Sequence, residues 1–246
     1  MRKRFALKMH DYIHYPKGKL IYNEKVFTEI APRYDFITRA LSLGADDAWK
    51  DELVGKLPDI NHPRCLDLAC GTGDITFRLA NKYPAGFVVG LDLTEDMLVR
   101  AQFRNLYSNI QFVANDMCRT GFNDNSFDIV TGGYALRNAP DIKKALTEIR
   151  RVMRFGGTGA FLDFSKPTNI VFQKLENTLL KTWGSFWGLA LHGNTEVYTY
   201  IAESLKQFPD CEQLKQYLKE NGFGNIRSKK HFYGIIEIII FEKIQN

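Results

Sequence analysis

Three short segments carry residue types that can bind a nucleoside-like ligand. The first reads Asp67-Leu-Ala-Cys-Gly71-Thr72-Gly73-Asp-Ile-Thr76. Its two glycines let a ligand approach the backbone closely, and the N–H groups of a helix starting near Asp74 favour a carboxylate or phosphate. A dinucleotide loop would continue Gly-x-Gly-x-x-Gly, but the third position here is Thr76, so a pyrophosphate is poorly provided for. The second segment, Gly90-Leu-Asp92, puts an acid nineteen residues beyond Gly73, where a carboxylate can accept hydrogen bonds from both hydroxyls of a ribose. An Asp there would equally cap a helix starting near Thr94. The third, Ala114-Asn115-Asp116-Met117, can offer a side-chain acceptor and a backbone N–H to an adenine edge, with Met117 against its face, or can simply form an Asn-Asp turn.

Strand ends must hold these segments in place. Short apolar runs alternate with amphipathic helices from about residue 64 to 164, the pattern of a parallel sheet. Strands are expected at 65–69, 87–91, 110–114, 127–132 and 159–163, with helices near 74–82, 94–105 and 142–153. On the last helix Ile142, Leu146, Ile149 and Met153 share one face, with Lys143, Lys144, Glu148 and Arg150 away from it, as a helix packed on a sheet requires. A helical region at 23–57 precedes this unit; an insert at 166–208 and a helix at 210–221 follow it. Two β-rich runs, 225–232 and 234–243, meet at Tyr233-Gly234 as an antiparallel pair. The expected architecture is α/β: a doubly wound, seven-stranded sheet in one domain spanning 1–246, with ligands outside the carboxyl ends of its strands. The strand from Ile235 to Phe241, interrupted only by Glu237, is core or a dimer edge.

Composition excludes several classes. With 45% hydrophobic and 25% charged residues over 246 positions, the chain is neither disordered nor fibrous. Lys+Arg 33 against Asp+Glu 28 leaves +5, too small an excess to demand a nucleic-acid partner. The basic cluster Arg2, Lys3, Arg4 and Lys8 reads as a solvated terminus ahead of a targeting remnant or an anionic-membrane contact. The sequence holds no run of 18 apolar residues and no signal-peptide core, so a soluble, cytoplasmic protein is expected. Cys65, Cys70, Cys118 and Cys211 form no CxxC pair and have no His at metal-ligand spacing, so they read as packed thiols and no metal is expected.

Taken together, Asp67, Gly71, Thr72, Gly73, Asp92, Leu93, Asn115, Asp116 and Met117 on three successive strand ends resemble the S-adenosylmethionine site of class I methyltransferases. That resemblance implies a Rossmann-like sheet, mostly parallel with an antiparallel last strand and helices on both faces, and a cofactor whose carboxylate meets the helix start. From about residue 22 to 225 the chain is similar to the quinone C-methyltransferases of ubiquinone and menaquinone biosynthesis. The likeness rests on Tyr34-Asp35-Phe-Ile-Thr-Arg-Ala-Leu-Ser42-Leu-Gly-Ala-Asp-Asp-Ala-Trp49, Tyr134-Ala-Leu-Arg137-Asn138 and Arg151-Val-Met-Arg-Phe-Gly156-Gly157. It extends through Leu162-Asp-Phe-Ser165-Lys166-Pro167 and Tyr198-Thr-Tyr200-Ile-Ala-Glu203-Ser204. Ile37-Thr38 replaces a usual Met-Asn, Asp46 a usual His, Phe155 a usual Pro and Asp163 a usual Glu. Gly132-Gly133 stands where a cofactor-contacting serine often sits, which leaves Gly133 against the cofactor.

The resemblance implies methyl transfer from S-adenosylmethionine to a ring carbon of a demethylated, prenylated quinol. Arg137 is the expected stabiliser of a developing phenolate, because a guanidinium stays cationic. A bound water, Asp163, His192 or Tyr200 would take the proton. The bland reading of Arg137 is a salt bridge to Asp141 or Asp163. Tyr34, Asn138 and Tyr198 are expected to touch the substrate, with Tyr34 and Asp35 on a helical cover at about 22–57. The aromatic-apolar stretch 179–191 suits a lipophilic small molecule, peripheral contact with a membrane surface, or buried packing alone. A homodimer is compatible with these features. Thr76 argues against a nicotinamide-dependent oxidoreductase. Gly132-Gly-Tyr134-Ala-Leu, in place of Asn/Asp-Pro-Pro-aromatic, argues against nucleic-acid amino methylation. Another phenolic or isoprenoid-like acceptor, or a cofactor-binding accessory protein without turnover, stays open.

Overall fold

Three helices precede the first strand in the computed structural model, which describes residues 8–167 and 169–245: α1 (Pro16–Ile30), α2 (Tyr34–Leu41) and α3 (Asp46–Gly55). Arg2, Lys3 and Arg4 of the basic cluster lie outside the described residues. The alternating unit follows as β1 (Arg64–Leu68), α4 (Asp74–Lys82), β2 (Phe87–Asp92), α5 (Glu95–Arg104), β3 (Ile110–Ala114), β4 (Phe127–Gly133), α6 (Ile142–Val152) and β5 (Met153–Phe164). The expected insert is a helical pair, α7 (Ile170–His192) and α8 (Glu196–Gln207), and α9 (Cys211–Glu220), β6 (Phe223–His231) and β7 (Ile236–Lys243) close the chain.

The sheet order is β3-β2-β1-β4-β5-β7-β6. Pairings among the first five strands are parallel, and β7 runs antiparallel to both β5 and β6. The last strand in sequence therefore sits inside the sheet, and β6 forms that edge. This settles the apolar run of β7 as core: Ile236, Ile238, Ile239, Ile240 and Phe241 are all buried.

Strict alternation shows that both faces are covered. Cys65, Val88, Ile129, Ile238 and Ile240 pack with Trp49 and Leu53 of α3 and Ile75 and Leu79 of α4. Their neighbours Leu66, Val89, Val130, Ile239 and Phe241 pack with Leu146 and Ile149 of α6 and Leu214 and Leu218 of α9. Strands buried on both faces need near-continuous apolar sequence, which is why they were legible. Asp141 caps α6 by accepting the N–H groups of Lys143 and Lys144. A third cluster joins Tyr22, Val26 and Ile30 of α1 to Ile37 of α2, Met97 of α5 and Val197, Tyr198 and Tyr200 of α8. The cover and the insert are thus packed on each other across the strand ends. The cover begins at Pro16, earlier than expected, because a proline at the first helical position has no N–H to leave unpaired.

Candidate active site

Two adjoining cavities lie under the cover. The smaller is walled by the strand ends: Gly71 after β1, Asp92 and Leu93 after β2, Asn115, Asp116 and Met117 after β3, and Gly133 at the end of β4. Gly71 has a left-handed backbone (φ 56°), and its N–H donates to Asp92 Oδ2 at 2.8 Å. The N–H of Thr94, the residue before α5, donates to Asp92 Oδ1 at 2.8 Å, so Asp92 orders the turn into α5 and the glycine loop at once. Each oxygen keeps acceptor capacity toward the cavity it lines. Burial raises this carboxyl above the usual range, while the N–H bonds oppose the shift. Asn115 forms the turn foreseen as its bland reading: its Oδ1 accepts the N–H of Asp116 and its Nδ2 donates to the Thr120 carbonyl. Asp116 accepts the N–H of Cys118 through Oδ1 only, which leaves Oδ2 as the acceptor.

Three expected cofactor residues support this cavity without lining it. Asp67 is buried and accepts the hydroxyls of Thr76 (2.7 Å) and Thr131 (3.0 Å), and its burial pushes the carboxyl up to about 6. Thr76, the residue that spoils a dinucleotide motif, thus ties β1 to α4. Thr72 donates to Asp35 Oδ1 at 2.6 Å, and Gly73 (φ 92°) starts α4. Asp35 also takes Arg104, Arg104 reaches Asp74, and Lys50 bridges Asp74 (2.9 Å) and Asp46 (2.5 Å). Tyr134 closes the chain by donating to Asp46 at 2.7 Å. Asp46, Asp47 and Asp74 cluster closely, and their countercharges are Lys50, Arg78, Arg39 and Arg104. This clasp, buried at Asp46 and Lys50 and partly exposed at Asp35 and Arg104, holds α2 and α3 on the glycine loop.

The larger cavity, about 440 Å³, is lined mainly by apolar side chains of α1, α2, α7 and α8. Arg137, on the turn after β4, faces it and is 4% exposed. Its Nη1 donates to the Ser204 hydroxyl, its Nε lies 3.7 Å from Asp163 Oδ1, and its guanidinium sits 5.1 Å from the centre of the Phe164 ring and 5.9 Å from that of Tyr200. Among the described residues its Nε has no hydrogen-bond partner. The salt-bridge reading is therefore met by Asp163, not Asp141, while the guanidinium still faces the chamber. Asp163 accepts the backbone N–H groups of Arg137 (3.0 Å) and Phe164 (2.8 Å) and does not line the chamber. Its geometry is that of a counter-ion; it is not placed to take a proton from a substrate.

Tyr198 and Tyr200 line the chamber, and burial holds both hydroxyls well above the usual phenol range. Tyr200 donates to Asn23 Oδ1. His192 lies outside the lining, with Nε2 3.0 Å from the Tyr198 hydroxyl and Nδ1 3.4 Å from Glu29. It is the last residue of α7 and buttresses Tyr198 from behind. Phe27, Tyr34, Tyr134 and Asn138 line both cavities and form the wall between them. Asn138 Nδ2 donates to the Tyr134 carbonyl at 2.8 Å, whereas its buried Oδ1 has no partner among the described residues.

A profile of the ubiE/COQ5 methyltransferase family matches residues 17–243. The chain belongs to this family. Its relatives include the demethylmenaquinone methyltransferase of Lactobacillus johnsonii, 36% identical over 208 residues that cover 82% of this chain and 84% of the relative. The ubiquinone/menaquinone biosynthesis C-methyltransferase UbiE of Rickettsia prowazekii is 34% identical over 250 residues, covering 95% and 96%. Among solved structures, a Haemonchus contortus N-methyltransferase in complex with S-adenosylhomocysteine superposes with a TM-score of 0.57 at 16% identity, over 80% of this chain and 52% of that one. The [4+2]-cyclase SpnF gives 0.61 at 17% identity over 81% of each chain. These distant likenesses show the fold alone, and a cyclase among them shows why the fold does not name the reaction. Family membership does: the protein is an S-adenosylmethionine-dependent methyltransferase.

The donor set of the smaller cavity fits that cofactor. Asp92 suits ribose hydroxyls, Asp116 an exocyclic amine and Met117 an adenine face, while the unpaired Asn138 Oδ1 waits for a donor at the junction. Leu20, Asn23, Phe27 and Tyr34 of the cover close this cavity, which measures about 70 Å³. Sequence reasoning missed Lys19 and Asn23. The Lys19 ammonium donates to the carbonyls of Arg137 and Ala139, both at 2.8 Å, and Asn23 Nδ2 donates to that of Asn138 at 2.7 Å. Burial brings Lys19 down to about 8. Their i, i+4 spacing on α1 was the available signal for two side chains acting on one turn. Glu176, buried in the chamber wall, was missed as well.

Proposed function

We propose that this methyltransferase places the methyl group on a ring carbon of a demethylated, prenylated quinol in ubiquinone or menaquinone biosynthesis. The observation that carries the reading is the apolar chamber of about 440 Å³ sharing its wall with the cofactor cavity and holding one buried guanidinium. The named activities of the relatives agree with it. A phenol-like hydroxyl has a pKa of about 10, so its ionisation at neutral pH costs roughly 4 kcal/mol. Arg137 offsets that cost: it is already oriented by Asp163, Ser204 and Phe164, keeps a spare Nε–H, and faces a mainly apolar chamber. S-adenosylmethionine supplies the electrophilic methyl group. The proton leaves to water, because Asp163 is committed to backbone donors and His192 stands outside the chamber. The test is transfer from methyl-labelled cofactor to a short-chain demethylmenaquinol by the purified protein. A product heavier by one methylene is expected; no transfer to that quinol by folded, cofactor-binding protein would overturn the reading.

We further propose that α7 rests on a lipid surface. Phe172, Leu175, Leu179, Phe186 and Leu189 are each more than half exposed at helical spacing, and Trp183 is 40% exposed. Leu179 and Trp183 also line the chamber, so the chamber wall continues into this apolar stripe and gives a prenyl tail a route to lipid. Among the described residues no helix is long and apolar enough to cross a membrane. Phe172→Asp combined with Phe186→Asp should abolish co-sedimentation with phosphatidylcholine vesicles while sparing turnover of a short-chain acceptor. Vesicle-free dimers lost in the same variant would assign the stripe to a second copy of the chain instead.

A further inference from the structure

Glu176 is the acid in the chamber wall that the arginine-centred chemistry leaves without a task. It sits on α7 between the exposed stripe and the interior, is 5% exposed, and lines the chamber among Leu179, Leu180 and Trp183. Its Oε1 is buried and makes no hydrogen bond among the described residues. A buried carboxyl without a partner costs free energy, so its place in a mainly apolar wall points to a ligand group that completes it. The remaining lining of α7 supplies only Thr182 as a polar side chain. Burial, against the weaker pull of Lys166 and Lys230, raises the carboxyl to about 7, so near neutrality it can either donate to a carbonyl or accept from a hydroxyl.

We propose that Glu176 is a specificity-determining residue that hydrogen-bonds the second ring oxygen of the acceptor, the one not held by Arg137. The proposal rests on the quinol reading above and sharpens it: the chamber would select para-dihydroxy rings over simple phenols. The two anchors belong to different walls, Arg137 to the turn after β4 and Glu176 to α7, so together they would fix the ring's orientation as well as its place.

The test compares two probes, a 2-prenyl-1,4-naphthoquinol and the matching 3-prenyl-1-naphthol, which keeps the hydroxyl ortho to the acceptor carbon and lacks the second one. Glu176→Leu should raise KM for the quinol about 10- to 100-fold, the range for a hydrogen bond to a charged or buried acid, with kcat within about threefold. KM for the naphthol should stay within about twofold, and Glu176→Gln, which can still hydrogen-bond, should recover most of the quinol preference. Unchanged cofactor affinity reports that both variants are folded. Equal rises for both probes, or none for either, overturn the proposal. Quenching of tryptophan emission by either probe reads the same discrimination without turnover. A wild-type chain that binds quinol in preference to naphthol, loses that preference in Glu176→Leu, yet transfers no methyl group would contradict the methylation reading and uphold this one. Methylation of both probes with equal KM by the wild type would do the reverse.

Discussion

The two cavities are built on opposite principles. The cofactor side is made of strand ends, backbone N–H groups and acids that lie within about sixty residues of one another, and its side chains are fixed by the sheet register that pairs Leu68 with Leu91 and Asp92 with Ala114. The acceptor side is made of helices added before and after the sheet, and its polar residues, Arg137, Glu176 and Tyr200, come from three separate segments. One wall of Phe27, Tyr34, Tyr134 and Asn138 serves both. The difference teaches how the proposed labour divides: strand ends for the cofactor, and added helices for the acceptor.

If the division is real, substitutions should separate the two sides. The largest effect is expected from Arg137→Lys, which keeps the charge and loses the planar fork: kcat should fall about 100- to 1,000-fold, while calorimetry shows cofactor Kd within about threefold of wild type. Parallel loss of both would mean that the guanidinium holds the whole site together. Asp92→Asn should do the converse, weakening cofactor binding about 10- to 100-fold with kcat at saturating cofactor little changed. Lys19→Met tests the clamp beneath the Arg137 turn. It strips donors from two buried carbonyls, so urea unfolding should show a loss of about 2–3 kcal/mol.

The smallest effect concerns pH. Folding raises the Glu176 carboxyl from 4.5 to about 7, so the unfolded chain releases this proton first. The penalty for ionising it in the fold is absent well below pH 4.5, grows between the two values and is complete above about 7. Glu176→Gln should therefore stabilise the protein more at about pH 8 than at about pH 5, by on the order of 1–3 kcal/mol in thermal or urea unfolding. A gain that does not depend on pH would mean that folding leaves this carboxyl at its ordinary value.

How much could be read in advance follows the same division. The strands, α4 to α6 and the cofactor acids were legible because each is a local pattern: a doubly buried strand, then a loop, then a capped helix. Asp92 orders the glycine loop and the turn before α5, and Asn115 forms the foreseen turn while both still line the cavity, arrangements that need the positions of the Gly71, Asp116 and Thr120 backbones. The links Asp35–Thr72 and Tyr134–Asp46 of the clasp and the partners of Lys19 and Asn23 on the Arg137 turn were not legible, since they lie about forty to more than a hundred residues apart. Glu176 was hidden for another reason. An isolated acid in an apolar helix normally faces water, and only the packing of α7 against α8 shows that this one does not.

The central claim is that carbon, not oxygen, receives the methyl group, because Arg137 holds the ring oxygen as a phenolate and leaves its electrons to the ring. Carbon-13 NMR of the product formed from methyl-labelled S-adenosylmethionine and a prenylated demethylnaphthoquinol tests this directly. The expected result is label bonded to a ring carbon, with the rate of its appearance collapsing in Arg137→Lys. Label on the ring oxygen, or ring-carbon label formed equally fast in that variant, would contradict it.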